Sequence, residues 1–428
     1  MGAPVPRPTM GGPPPPPTAG MLLRLFRGPA GRATAVLIGI RIAYAYNWFD
    51  VGPALPNLSS EFGVGPVAWG FLIAAFLVGA ALFQIPSGFL ARRYGPRSVA
   101  LGGAGLLAAA SIASSLAPDF LSLAALRFLG GAGAGLFFSP AIVLVASLHP
   151  EGSQGIPVGI FSSAFSAGAG LGVVGSALLI PLVGWRGSLA VGGLFLLGLA
   201  LVGSRMVPAR PTAPEGPKSP APRTVPSALR SRSVWGIGIA FIGLEGATLS
   251  AGQYFVPFAE SVHGWTPALA GAVASLFVFP SVLGGPVGGR IAERYRHRRS
   301  QMVVATAFPA LLLLLVPYAG LALTVLIAAT FAVSYGMVYA MMYVVAPALA
   351  GVRSGEVALA IGLFNGIQIT GGAAVAQAAA WVLGSYGYPA AWETLGLLTL
   401  ASLGVLAVVP PIRTPSDGVR AGPTEIPP

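Results

Sequence analysis

No cysteine occurs in this chain of 428 residues. Disulfides, thiol nucleophiles and cysteine-ligated metals are therefore excluded, and nothing assigns a redox compartment. Charge is scarce too: 8% of residues are Asp, Glu, Lys or Arg, against roughly a quarter in a soluble domain. The three histidines, His149, His263 and His297, lie far apart, each in or beside an expected loop, so no histidine metal site is expected. No phosphate loop, Ser/His/Asp arrangement or metal-ligand spacing is present, which leaves ATP hydrolysis and other enzymatic chemistry without residues to perform it. Neither an enzyme nor a cofactor is expected. What the chain has in quantity is apolar character, with 55% hydrophobic residues and a mean hydropathy of +0.79. That excess rules out reading the 60 glycines and 40 prolines as low complexity. The class that remains is a multi-pass membrane protein.

A bilayer core of about 30 Å needs about 20 apolar residues per helix. Windows between charged or Pro/Gly breaks give spans near 34–54, 67–91, 98–116, 120–147, 155–183 and 188–206. A second six follow near 234–256, 267–290, 301–317, 321–347, 356–384 and 390–410. The expected organisation is a disordered tail over 1–32, a six-helix bundle over 33–207, a linker over 208–232, a second bundle over 233–411 and a tail over 412–428. The proline-rich stretch from Pro208 to Ser231 carries Arg210, Lys218, Arg223 and Arg230 without an apolar run, as a linker does.

The net charge of +12 would suggest nucleic acid in a soluble protein, but here its distribution explains it. Arg92, Arg93 and Arg97, the linker cations, and Arg290, Arg294, Arg296, Arg298 and Arg299 all fall in loops on one side, while the opposite loops hold almost none. The positive-inside rule makes that side cytoplasmic, with both termini inside and no nucleic-acid partner.

The halves repeat each other. Gly88-Phe-Leu-Ala-Arg-Arg-Tyr94 recurs as Gly289-Arg-Ile-Ala-Glu-Arg-Tyr295, an offset of 201 residues. Gly159-Ile-Phe, Gly168 and Gly184-Trp recur as Gly362-Leu-Phe, Gly371 and Gly387-Tyr. Two related six-helix bundles are what alternating access requires, with the site at their interface near mid-membrane. From Arg32 to Pro410 the sequence resembles the major facilitator superfamily. The stretch Gly88 to Arg97 follows that family's Gly-x-x-Ala-Asp-Arg-x-Gly-x-Arg pattern, and Arg127-Phe-Leu-Gly-Gly131-Ala-Gly133 is similar to its fourth-helix pattern. The resemblance implies an all-α fold of twelve transmembrane helices in two pseudo-symmetric bundles, acting as a secondary transporter. At position 92, where the family has an acid, this chain has Arg; Glu293 keeps the acid in the second half. A cytoplasmic gate of Arg92, Arg93, Glu293, Arg294 and Glu356 is expected, with the latch reversed as Arg92 or Arg93 to Glu356, against the alternative of solvated loop charges worth little.

A charge near the bilayer centre costs about 2.5 to 3.5 kcal/mol even on a permissive scale, so intramembrane charges are paired or functional. Arg41, Asp50, Arg127 and Glu245 stand out. On a helix, about 100° per residue groups Asp50, Asn47 and Tyr46 on one face of the first span, with Arg41, Tyr44 and Trp48 opposite. Asp50 and Arg127 fall at matching depth, and the resemblance makes their helices neighbours, so a buried pair is expected. It is either a proton-coupling carboxylate, since losing the cation during the cycle would favour its protonation, or a permanent structural ion pair. The 201-residue offset matches Glu245 to Tyr44, which points Arg41 and Glu245 toward one inter-bundle space. Arg41 would bind an anionic group and Glu245 would balance it or carry a proton; alternatively, Arg41 snorkels.

Tyr335, Tyr339 and Tyr343 recur every four residues on the tenth span, Asn365 and Gln368 lie a turn apart on the eleventh, and Gln253 and Tyr254 are similar cases on the seventh. Each group could bind substrate or join helices. The expected protein is a plasma-membrane, proton-coupled, monomeric carrier of a small organic or inorganic anion. A drug or metabolite exporter of the same fold is the near rival, and a non-transporting receptor or scaffold the distant one.

Overall fold

In the computed structural model, the described residues are 27–150, 154–208, 227–294, 298–346 and 357–409, with the single positions 349 and 352. Most of the expected N-terminal tail, the linker core, Glu356 and the tail over 412–428 lie outside them, as do the side chains of Arg92, Glu293 and Arg294.

Long apolar helices build the chain. The first, α1, spans Gly28–Phe49. It begins inside the stretch expected to be tail, because Pro29 sits in its first turn, where a missing N–H costs nothing. Next come α2 (Pro66–Tyr94), α3 (Pro96–Ser114) and α4 (Phe120–Ser147). The α4 start is fixed by a capping box in which Asp119 and Ser122 satisfy each other's backbone N–H groups. The continuous stretch Gly155–Met206 breaks at Gly184, whose φ of 72° and ψ of 169° are non-helical, giving α5 (155–183) and α6 (185–206). In the second half, Val357–Leu403 breaks in the same way at Gly387, φ 83°, giving α11 (357–386) and α12 (388–403). Both positions have the left-handed φ that glycine adopts without strain.

Two helices expected to be continuous are interrupted. Arg232–Ala240 and Ile242–His263 form α7, broken at Phe241; the Ala240 carbonyl freed there accepts the Ser402 hydroxyl at 3.0 Å. Pro267–Ser275 and Ser281–Arg294 form α8. Between them Leu276, Phe277 and Val278 make tight i to i−3 bonds ahead of Pro280, which disfavours helix in the residue before it. The remaining helices are α9 (Arg298–Leu313) and α10 (Leu321–Val345). Among the described residues, eight helices could cross a membrane by length and composition, two of them the glycine-broken pairs, which makes ten spans. With α1, which carries Arg41, and the interrupted α8, the fold has twelve, in two six-helix bundles. Large apolar side chains such as Leu82, Leu182, Leu283 and Leu326 remain exposed on the outer surface, as lipid allows.

Within each bundle, glycines bring helices to backbone contact. A Cβ at Gly131 or Gly135 would strike α2 carbonyls at Phe76 and Ala80, and one at Gly336 would strike the Ser281 carbonyl of α8. Between bundles, named contacts lie near the middle or toward the face where α1 ends, termed the distal face. Gln253 Nε2 donates to the Trp48 carbonyl at 2.7 Å, and Gln377 Nε2 to the Val67 carbonyl at 3.2 Å. Gly70 abuts Ala380, Gly271 abuts Ala177, and Ser281 donates to Ser166 at 2.6 Å. The bundles are thus closed against each other distally.

Candidate functional site

Two polar centres form in the N-terminal bundle, on the opposite faces of α1 that its sequence predicts. On one face, Arg127 Nη1 from α4 lies 3.1 Å from Asp50 Oδ1 and donates to the Asn47 carbonyl at 3.1 Å. Its guanidinium stands 4.5 Å from the Phe76 ring centroid. Asn47 Nδ2 bonds the Ala43 carbonyl and, at 3.3 Å, the Gly192 carbonyl of α6. Asp50 is 0% and Arg127 3% exposed, so the pair is enclosed within its own bundle. Asp50 Oδ2 has no hydrogen-bond partner.

On the opposite face, Arg41 is 6% exposed and does not snorkel. Its guanidinium carbon stands 4.6 Å from the Tyr44 ring centroid, 4.4 Å from Phe138 of α4, and 5.6 and 4.8 Å from Phe161 and Phe165 of α5. These ring faces attract the cation through their quadrupoles. Among the described residues no carboxylate pairs with Arg41, and its Nε and Nη1 are buried without a partner. Trp48 and Tyr44 extend the aromatic wall, Trp48 meeting Phe76 at 5.1 Å and Phe165 at 5.5 Å edge-on, and Tyr44 meeting Phe137 at 5.1 Å. The phenylalanines of this cage were not singled out in the sequence; Phe161 and Phe165, four apart on α5, are the signal that marks one face.

In the C-terminal bundle Glu245, 6% exposed, accepts hydrogen bonds on one oxygen, Oε2, from Tyr335 at 2.9 Å and Tyr339 at 2.7 Å. No described residue donates to Oε1. The four-residue tyrosine spacing of α10 therefore gives more than packing: Tyr335 and Tyr339 rings lie tilted 4.6 Å apart and Tyr339 meets Tyr343 edge-on at 6.0 Å. Asn365 Nδ2 donates to the Tyr343 hydroxyl at 3.3 Å, and Gln368 Nε2 rests 3.2 Å from the Met342 sulfur. Tyr343 interacts electrostatically with Glu245 and, across the bundle interface, with Arg41. Glu245 and Arg41 make no ion pair, so any balance between their charges acts without contact. Gln253 and Tyr254 bind backbone carbonyls, at Trp48 and Ala376.

A third cluster, at the distal face, joins the short helix Leu55–Phe62 to α6. Glu61 accepts from Trp185 Nε1 at 2.7 Å and Arg186 Nη2 at 2.5 Å. The Trp185 bond first, and Arg186 second, hold its carboxyl below the usual carboxylate range. Of the expected gate, Arg93 is exposed, its guanidinium 5.3 Å from the Tyr94 ring; the side chains of its other members lie outside the described residues.

The family model described as Major Facilitator Superfamily matches residues 37–376. A 4-hydroxybenzoate transporter of Pseudomonas aeruginosa is 35% identical over 152 residues, 36% of this chain and 34% of that protein. A probable nitrate/nitrite antiporter of Thermus thermophilus is 27% identical over 261 residues, 59% of each chain. The chain thus spans about a third and somewhat over half the length of these relatives. The crystal structure of a bacterial homolog of the human lysosomal transporter Spinster, inward-facing and occupied, superposes with a TM-score of 0.70 over 88% of this chain and 94% of that one. At 16% identity that likeness speaks for the fold alone. Twelve helices, an internal repeat and a family match over most of the chain agree: the protein belongs to the Major Facilitator Superfamily.

Proposed function

We propose that this protein is a secondary transporter that moves a small organic carboxylate, an aromatic acid above others, by alternating access coupled to protons. The observation that carries this is Arg41. An uncompensated cation in a span is expensive, and one held between ring faces with two free N–H groups suits an anion that arrives and leaves. Aromatic walls match a flat ring whose carboxylate reaches the guanidinium; nitrate would leave them unused. The relative named for 4-hydroxybenzoate supports such a substrate. Tyr343, 39% exposed, offers a second donor, because its hydroxyl accepts from Asn365 and its own hydrogen meets no described acceptor.

Glu245 is the favoured proton carrier, since among the described residues it is held by two tyrosine hydroxyls and no cation, while Asp50 is ion-paired with Arg127. The arginine-bearing face, with Arg93, Arg97, Arg290, Arg298 and Arg299, is cytoplasmic. Distal closure then corresponds to an inward-facing carrier in the plasma membrane, working as a monomer with both termini inside.

Proteoliposomes holding the full chain should accumulate radiolabelled 4-hydroxybenzoate when the outside is acidified, and a protonophore should abolish the accumulation. Glu245→Gln should lose accumulation yet retain exchange. If transport survives Arg41→Ala unchanged, the exporter reading replaces this one. No flux of any solute, with Asp50→Asn and Glu245→Gln both tolerated, would instead leave a receptor or scaffold.

A further inference from the structure

Resting on the Arg41 anion site proposed above, we infer that Tyr339 is a coupling residue whose single hydroxyl hydrogen is shared in turn between the Glu245 carboxylate and the substrate anion. Tyr335, Tyr339 and Tyr343 occupy one face of α10, and Tyr339 is the middle ring, 4.6 Å from one neighbour and 6.0 Å from the other. One end of this ladder is tied to the acid, through Tyr335 and Tyr339 on Glu245 Oε2. The other end, Tyr343, lies within electrostatic range of Arg41. Glu245 and Arg41 have no direct contact, and Tyr339 is the ring that touches both Glu245 and Tyr343.

A phenol has one hydrogen to donate. While Glu245 is ionised, its charge-assisted bond holds that hydrogen roughly twice as strongly as a neutral acceptor would. Protonation, for which Oε1 is available because no described residue donates to it, weakens the hold, and the Tyr339 hydroxyl becomes available to a carboxylate seated on Arg41. Proton and anion then favour each other's binding, and the effect is reciprocal. The groups facing Glu245 are Tyr335 and Tyr339 from α10, with Tyr343 one turn on; α11 presents the Gly372 backbone, and α1 contributes Arg41 beyond Tyr343. Tyr335 lies on the side of Tyr339 away from Tyr343, so it steadies Glu245 without reaching the anion.

The test measures benzoate affinity of the purified full-length protein between about pH 5.5 and 8.5, where benzoate itself stays ionised because its carboxyl titrates near pH 4. In the wild type the Kd should rise with pH, by at most about tenfold per unit as one proton is lost. Glu245→Gln should bind without pH dependence, Tyr339→Phe should lose more than half of the logarithmic slope, and Tyr335→Phe should keep it. In parallel, at fixed pH, benzoate should strengthen the infrared C=O band that Glu245→Gln lacks in the wild type, and fail to do so in Tyr339→Phe. A wild-type slope in Tyr339→Phe, or equal flattening in Tyr335→Phe, overturns the coupling role alone. Absence of benzoate binding to the wild type at every pH overturns the Arg41 anion site and this inference with it.

Discussion

In the N-terminal bundle the buried cations stand against aromatic faces, whereas in the C-terminal bundle the buried acid stands against phenol hydroxyls. The two halves share helix order, the Gly-Trp and Gly-Tyr corners at Gly184 and Gly387, and a repeat that matches Tyr44 to Glu245. The duplicated scaffold is therefore equipped differently at equivalent positions. Ring faces stabilise a guanidinium without satisfying its N–H groups, and so leave it able to bind; hydroxyls satisfy a carboxylate and let it exchange a proton. A second contrast lies within the N-terminal bundle, where Arg127 has its counter-ion and Arg41, among the described residues, has none.

The sharpest way to break that second contrast is to remove the counter-ion. Asp50→Ala strands a buried cation and should destabilise the protein by about 3 to 5 kcal/mol, read as a large fall in the thermal midpoint; adding Arg127→Met should restore most of it. Arg41→Met removes a cation that already lacks a partner, so the midpoint should hold, while 4-hydroxybenzoate binding weakens. Charged hydrogen bonds of about 1.5 to 3 kcal/mol correspond to a loss of roughly 10- to 150-fold. If Arg41→Met lowers the midpoint as Asp50→Ala does, the two arginines are structural alike.

The smallest effect belongs to the exposed distal clasp. Glu61, held below the usual carboxylate range, contributes stability that is present above its unfolded value of 4.5 and fades as pH falls further. Glu61→Gln should therefore cost less than about 1 kcal/mol at pH 7, with the difference from wild type vanishing as unfolding is followed into the acid range.

The fold was legible in the sequence to the extent that it depends on apolar length and on glycine. Span positions and the repeat follow from residue spacing. The break in α7 was not legible, because Phe241 carries no local breaking signal; the break in α8 had one in Pro280, which a reading by apolar length alone passes over. At the site, matched depth together with the helix neighbours that the family resemblance implies brought Asp50 and Arg127 together. The phenylalanines of the Arg41 cage were hidden because they lie about a hundred residues or more from Arg41 in sequence, and a phenylalanine in an apolar helix carries no mark of what it faces. The tyrosine spacing on α10 was visible, but its attachment to Glu245 depends on how α7 and α10 pack.

The most direct test of the whole account is calorimetric titration of the purified protein with 4-hydroxybenzoate at pH 6, wild type beside Arg41→Ala. The account predicts saturable one-site binding that Arg41→Ala weakens at least about tenfold, as loss of a charge-assisted bond requires. Equal affinity in the two proteins would contradict it.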